Sequence, residues 1–139
     1  MQTLNQQQAA ERVDSHITAA VDQLRPRPGL HPVRRFAFAC ADPTDHGPLG
    51  RVVVEHRYEL PAIDAADGPS VLDSLAAYWT ANGYRILGDG RGRPLAEIAA
   101  EAPDGFRVVI CTDTLGKLAI IGSSPCVWPS GSPPTGSTA

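Results

Sequence analysis

No apolar run in this sequence approaches the ~18 residues that cross a bilayer, and the polar opening from Met1 to Gln8 carries no signal-peptide apolar segment. The chain is expected to stay in water. A cationic excess is missing too: 12 Lys and Arg stand against 15 Asp and Glu, a formal net charge of -3. Nothing in that balance would release counterions from a nucleic-acid backbone, so no nucleic-acid partner is expected. The chain also lacks a Cys-x-x-Cys pair, a His-x-x-x-His spacing and a Gly-x-Ser-x-Gly element. Those absences remove the familiar signatures of zinc sites, metalloproteases and hydrolase nucleophiles, and Ser123, Ser124 and Ser130 have no catalytic context. No internal repeat at solenoid periods is present.

What remains is enough chain for one domain, since 139 residues can bury roughly two-thirds of their unfolded surface without metals or staples. Thirteen glycines and thirteen prolines are about 19% of the chain, below the ~25–30% that marks low-complexity disorder. The first helix is legible from Ala9 to Leu24, because Val13, Ile17, Val21 and Leu24 recur on one face. Thr3 with Gln6 resembles a capping box, and Arg25 to Gly29, with two prolines, ends the helix in a stiff linker.

From Val33 to Ala41, Phe36, Phe38 and Cys40 alternate with smaller or charged residues and predict a half-buried strand. The clearest strand follows: Val52, Val54, His56, Tyr58 and Leu60 form a dry face, and Val53, Glu55, Arg57 and Glu59 a wet one. A second helix, with Ser70 and Asp73 as a capping pair, buries Leu72, Leu75, Ala76 and Trp79 and ends at Asn82-Gly83. Strands are then expected at Tyr84 to Leu87, Leu95 to Ala102, Phe106 to Thr112 and Lys117 to Gly122, with turns at Gly88 to Pro94, Pro103 to Gly105 and Asp113 to Gly116.

These signals predict an α+β fold in which two helices pack on one face of a mostly antiparallel sheet of five or six strands. They divide the chain into a flexible lead over residues 1–8, a single domain over 9–128 and a disordered Pro/Ser/Gly tail over 129–139.

Candidate chemistry is sparse. Three cysteines are an odd count: either Cys40 and Cys126, at strand ends, pair in an oxidising compartment and leave Cys111 a free buried thiol, or all three are reduced core residues. Asp42, Asp45 and His46 share one loop and would suit a divalent cation or a general base, although Asp and Pro also build tight turns without any ligand. His56 on the dry face reads as a hydrogen-bonded core residue, while His16 falls on a polar helix face and His31 in the linker. Gly88, Gly90 and Gly92 lack the Gly-Lys-Ser/Thr ending of a phosphate loop and read as a hairpin carrying Arg91 and Arg93. Tyr78 and Trp79 read as core aromatics.

The stretch Cys40 to Arg51 (Cys-Ala-Asp-Pro-Thr-Asp-His-Gly-Pro-Leu-Gly-Arg), together with Tyr78-Trp79…Tyr84, Asp104-Gly-Phe106 and Ser124-Pro-Cys126-Val-Trp-Pro129, resembles a group of small actinobacterial envelope lipoproteins and secreted domains. The resemblance covers nearly the whole chain. It implies an extracytoplasmic location and a Cys40–Cys126 pair, and it supplies no catalytic residues, cofactor or metal. The chain departs from that group in showing no leader and no lipobox cysteine ahead of the domain, which keeps a cytoplasmic location as the alternative.

The expected function is a non-catalytic extracytoplasmic binding or interaction module of the bacterial cell envelope. Its partner would be a protein or a small ligand, and membrane attachment would come only through a lipid anchor or leader absent from this sequence. The alternatives are a cytosolic homodimer using an exposed sheet face, and a metal-assisted enzyme using the Asp42, Asp45 and His46 loop.

Overall fold

The computed structural model describes residues 4–40 and 50–132. In chain order the elements are α1 (Gln6–Val21), β1 (His31–Ala39), β2 (Val52–Glu59), a short 3-10 turn (Ala65–Asp67), α2 (Gly68–Ala81), β3 (Arg85–Asp89), β4 (Glu97–Glu101), β5 (Arg107–Thr112) and β6 (Leu118–Ser123). The six strands form one sheet in the order β1-β2-β6-β5-β4-β3, antiparallel at every junction. β3 to β6 are a meander of short hairpins. β6 then lies beside β2, so the two halves of the chain join through the middle of the sheet. Both helices cover the same face, α1 over β2 and β6, α2 over β3 and β4. The fold is α+β, as the alternation of helical and strand periods predicts.

α1 starts earlier than its apolar stripe. Asn5 caps it: the Asn5 side chain accepts from the Gln8 N–H at 2.8 Å, and the Gln8 side chain accepts from the Asn5 N–H at 3.0 Å. That reciprocal box draws Gln6 to Gln8 into the helix rather than leaving them as a lead, and it is formed by Asn5 and Gln8, not Thr3 and Gln6. The Gln6 N–H also donates to the Pro129 carbonyl at 3.1 Å, so the chain just after the domain's last apolar residues returns to the helix start. α2 differs from expectation at its N-terminus as well. It begins at Gly68 with Pro69 in the first turn and no side-chain cap, and Asp73 pairs instead with Arg91 at 3.0 Å. At the other end the helix stops as glycine dictates, with Gly83 at φ +81°.

The core lies between helices and sheet. Val13 and Ile17 of α1, Leu72, Leu75 and Trp79 of α2, and Ile98, Val108, Ile110 and Ile120 of the sheet are all buried there. Each large aliphatic side chain so buried stabilises the fold by roughly 1.5–3 kcal/mol. β2 alternates as its sequence predicts: Val54, His56 and Tyr58 are buried, and Glu55 and Arg57 face away.

β1 inverts the expected pattern. Arg35 pairs with His56 across the ladder and Phe36 with Glu55, so Arg35 and Ala37 lie on the helix side while Phe36 and Phe38 lie on the uncovered side. The strand is at the sheet's edge, beyond most of the helix cover, and Arg35 is drawn inward by a hydrogen bond to Asp14 on α1 at 2.8 Å. His31 is the first residue of this strand rather than part of a linker.

Candidate functional site

Cys40 and Cys126 form a disulfide with Cα atoms 5.8 Å apart, bridging a sequence separation of 86. The backbone brings them together in two steps. The Cys40 N–H donates to the Arg51 carbonyl at 2.9 Å, and Val52 and Val127 exchange both of their backbone hydrogen bonds at 2.8 Å. The first turn of β2 is thus flanked on one side by the end of β1 and on the other by the segment after β6, and the bridge closes across it. Cys111 is free and half-buried. It lies on the uncovered sheet face with Val109 rather than in the core, because in β5 the helix-facing positions are Val108 and Ile110. Burial raises its thiol above the ordinary range. Asp42, Asp45 and His46 fall outside the described residues, and among the described residues no group of three or more His, Cys, Asp or Glu side chains is placed to hold a metal ion.

Among the described residues, no element packs on the face of the sheet opposite the helices. Reading across the registers, one row runs Arg34, Arg57, Ile121, Val109 and Ala99, and the next runs Glu59, Ala119, Cys111 and Glu97. A third row runs Phe36, Glu55, Ser123, Arg107, Glu101 and Arg85 and is charged toward the β3 edge: Glu101 accepts from Arg85 at 3.2 Å and from Arg107 at 3.0 Å, a ladder across β3, β4 and β5. Phe36 and Phe38 stack at 5.4 Å between ring centroids beside this surface, with the Arg34 guanidinium 5.5 Å over the Phe36 ring. At the disulfide end the face deepens into a hollow of about 760 Å³ lined by Phe38, Val53, Arg107, Ser123 and the bridge itself. The face carries two apolar patches, Ile121, Val109 and Cys111 in the middle of the sheet and Phe36, Phe38 and Val53 toward the β1 edge, with the row Glu55, Ser123, Arg107 and Glu101 running between them.

Two hydrogen-bonded clusters tie α1 to the sheet, and neither is visible in the sequence. In the first, Asp14 accepts from the His56 ring Nδ1 at 2.8 Å, from the Tyr58 hydroxyl at 2.7 Å and from Arg35. His56 is buried, as its place on the dry face predicts. Burial, with the hydrogen bond and charge of Asp14 added, pushes the Tyr58 hydroxyl up to about 12. In the second cluster, His16 lies between the Tyr84 hydroxyl at 2.5 Å from Nδ1 and Asp104 at 2.9 Å from Nε2. Its side chain is only 15% exposed, so it belongs to the sheet-facing flank of α1 and not to a polar outer face. Burial also pushes Tyr84 up to about 12, with Tyr78 and the Asp104 charge adding to it. With its hydrogen on Nε2, the His16 ring donates to the Asp104 carboxylate and accepts from the Tyr84 hydroxyl at Nδ1.

Both ring nitrogens of His16 are engaged, His56 is enclosed, and no Ser, Thr or Cys side chain hydrogen-bonds either ring among the described residues. Ser124 is buried and used locally, accepting from the Val54 N–H and donating to the Pro125 carbonyl.

The Asp104 cluster carries a pH dependence whose sign is determined by its partners. Burial alone would raise the Asp104 carboxyl, but hydrogen bonds from His16, the Phe106 N–H and Arg12 hold it below the ordinary value. A lowered carboxylate contributes stability that is present above the unfolded pKa, near 3.9, and is lost as pH falls through the folded one. Asp104→Asn is therefore expected to cost about 1 kcal/mol at pH 7, the side chain being partly open to water. The gap between variant and wild type should narrow as pH falls below the ordinary carboxylate range and through the lowered folded value, measured as urea midpoints across that range. A gap that persists undiminished in acid would mean that the carboxylate charge is not what the cluster uses.

Among the described residues no helix is long and apolar enough to cross a membrane. Comparison with family models, with curated proteins and with solved structures finds no match for this chain.

Proposed function

We propose that this chain is a non-catalytic extracytoplasmic binding module of the bacterial cell envelope that docks a partner protein on its open sheet face. The observation that carries the reading is the composition of that face. Two apolar patches, Ile121 with Val109 and Cys111, and Phe36 and Phe38 with Val53, are set among Arg34, Glu55, Arg57, Glu59 and Glu97, the mixture of apolar anchors and charged neighbours that protein interfaces use. Arg57 has no hydrogen-bond or ion-pair partner among the described residues, so the partner's matching groups are apolar side chains with acidic neighbours. The disulfide supports the compartment, since such bridges persist where thiols are oxidised. The resemblance to secreted and lipoprotein domains points the same way. The closed clusters around His16 and His56 favour binding over catalysis.

A photo-crosslinking residue placed at position 121, with a control at the exposed Glu11 on α1, tests the reading in producing cells. Expected is one saturable adduct of defined mass from position 121, none from position 11, and its loss in the Val109→Arg background. An adduct of twice the chain mass alone would replace this reading with the homodimer, and no adduct from position 121 would overturn docking on this face.

A further inference from the structure

A cavity of about 800 Å³ lies on the other side of the molecule, where the turn between β3 and β4 and the turn between β5 and β6 close over the first turn of α2. Its walls are mainly apolar: Ala65, Pro69, Leu72, Pro94, Leu95 and Ala96. The volume and lining fit the range of small-molecule sites, in which a few polar groups orient a largely apolar ligand.

The charged groups at this cavity are not equivalent. Arg91 is consumed, donating to both oxygens of Asp89 and to Asp73. Asp73 shares that single cation with Asp89, and Asp113 accepts the N–H groups of Leu115 and Lys117 at 2.8 and 2.9 Å, holding its own turn together. Arg93 is different: it lines the cavity and makes no hydrogen bond among the described residues, although the Asp89 charge acts on it. Its N–H donors stand open beside an apolar cavity.

Leu95 supplies an independent observation. It has the only positive φ of a non-glycine residue among those described, +56°, and its side chain is 57% exposed at the cavity wall. A leucine there is unfavourable twice, once in its backbone and once in its exposed apolar surface, and glycine would relieve both. Its side chain is in the right place to cover an apolar ligand.

We propose that this cavity binds an elongated apolar molecule bearing a single anionic head, a medium-chain carboxylate by class, with Arg93 at the head and Leu72 and Leu95 along the chain. The site is separate from the open sheet face and does not depend on its role. Titration calorimetry of the full disulfide-bonded chain with decanoate, and with 1-decanol as the uncharged counterpart, tests it. Expected is saturable binding of one decanoate per chain, weakened about tenfold by Arg93→Gln, with the alcohol unaffected by that change. Ala96→Phe and Ala65→Trp, which fill the cavity from its rim, should each abolish binding of both ligands. Two variants keep the test valid if one of them folds poorly. Leu95→Gly should melt higher than wild type without ligand yet bind decanoate more weakly. Val109→Arg on the open face should bind as wild type does. The proposal is overturned by the absence of saturable decanoate binding up to about 1 mM. Binding that survives both cavity-filling variants, or an equal effect of Arg93→Gln on acid and alcohol, would overturn it as well.

Discussion

Removing the Cys40–Cys126 bridge, by the paired substitution Cys40→Ser with Cys126→Ser, is expected to lower the unfolding free energy by roughly 4 to 5 kcal/mol. The bridge closes a loop with a sequence separation of 86, and the chain-entropy cost of that closure is returned to the unfolded ensemble when the link is cut. Against a typical total of about 5–15 kcal/mol the loss is large. β1 should suffer first, because its ladder to β2 and the Arg35–Asp14 contact would be left as its main attachments. Urea denaturation of oxidised protein and double variant measures the difference. Thiol titration of unfolded, unreduced, natively produced protein should find a single reactive cysteine, Cys111, and none after Cys111→Ser. Three reactive thiols would contradict both the bridge and the compartment argued from it.

Gly122→Ala is expected to destabilise by about 2–3 kcal/mol, a large effect for one methyl group. Gly122 lies on β6 between His56 and Val108, facing α1. A Cβ built there would come within 2.8 Å of Val13 Cγ1 and 2.9 Å of Ile17 Cδ1. The missing side chain is what lets the helix settle against the middle of the sheet, and the two hydrogen-bonded clusters on α1 depend on that separation. Adding Val13→Ala to Gly122→Ala should restore part of the loss, so that the double variant is less destabilised than the sum of the singles. A neutral Gly122→Ala, by the same denaturation measurement, would show that α1 does not pack where the structure places it.

Elements with one wet and one dry side were legible in the sequence. β2, α2 and most of α1 present a single buried stripe, and their periods say so directly. β1 was legible as a strand but not in its orientation. At an edge, neither side is strongly buried, and its two phenylalanines dominate the alternation although a charge contact holds Arg35 on the helix side. The helix starts differ from the sequence reading because caps act through local backbone hydrogen bonds: Asn5 with Gln8 has the same spacing as Thr3 with Gln6, and the backbone selects Asn5. The clusters around Asp14 and His16 join positions 21 to 88 residues apart, which no local pattern announces. The one available signal was that both residues flank the apolar stripe of α1 instead of opposing it. Similarly, the Gly-Arg hairpin was recognisable as a turn, but its closure over α2 follows from the sheet order. For Cys40 and Cys126 the sequence left a bridge and three reduced thiols open, the resemblance implied the bridge, and the structure has it, whereas Asp42, Asp45 and His46 lie outside the described residues.

The hydrogen bond from Gln6 to Pro129 makes the fold nearly a closed circuit. Where the backbone enters and where it leaves are a single peptide contact apart, so the order in which its elements are synthesised is largely independent of how they pack. Such a unit can hang from an anchor at either end, or sit as an insertion inside a longer chain, without reorienting its sheet face or its cavity. It could equally be opened at the exposed turn between β5 and β6, with its ends joined through the residues after Pro129, and keep the same neighbours throughout.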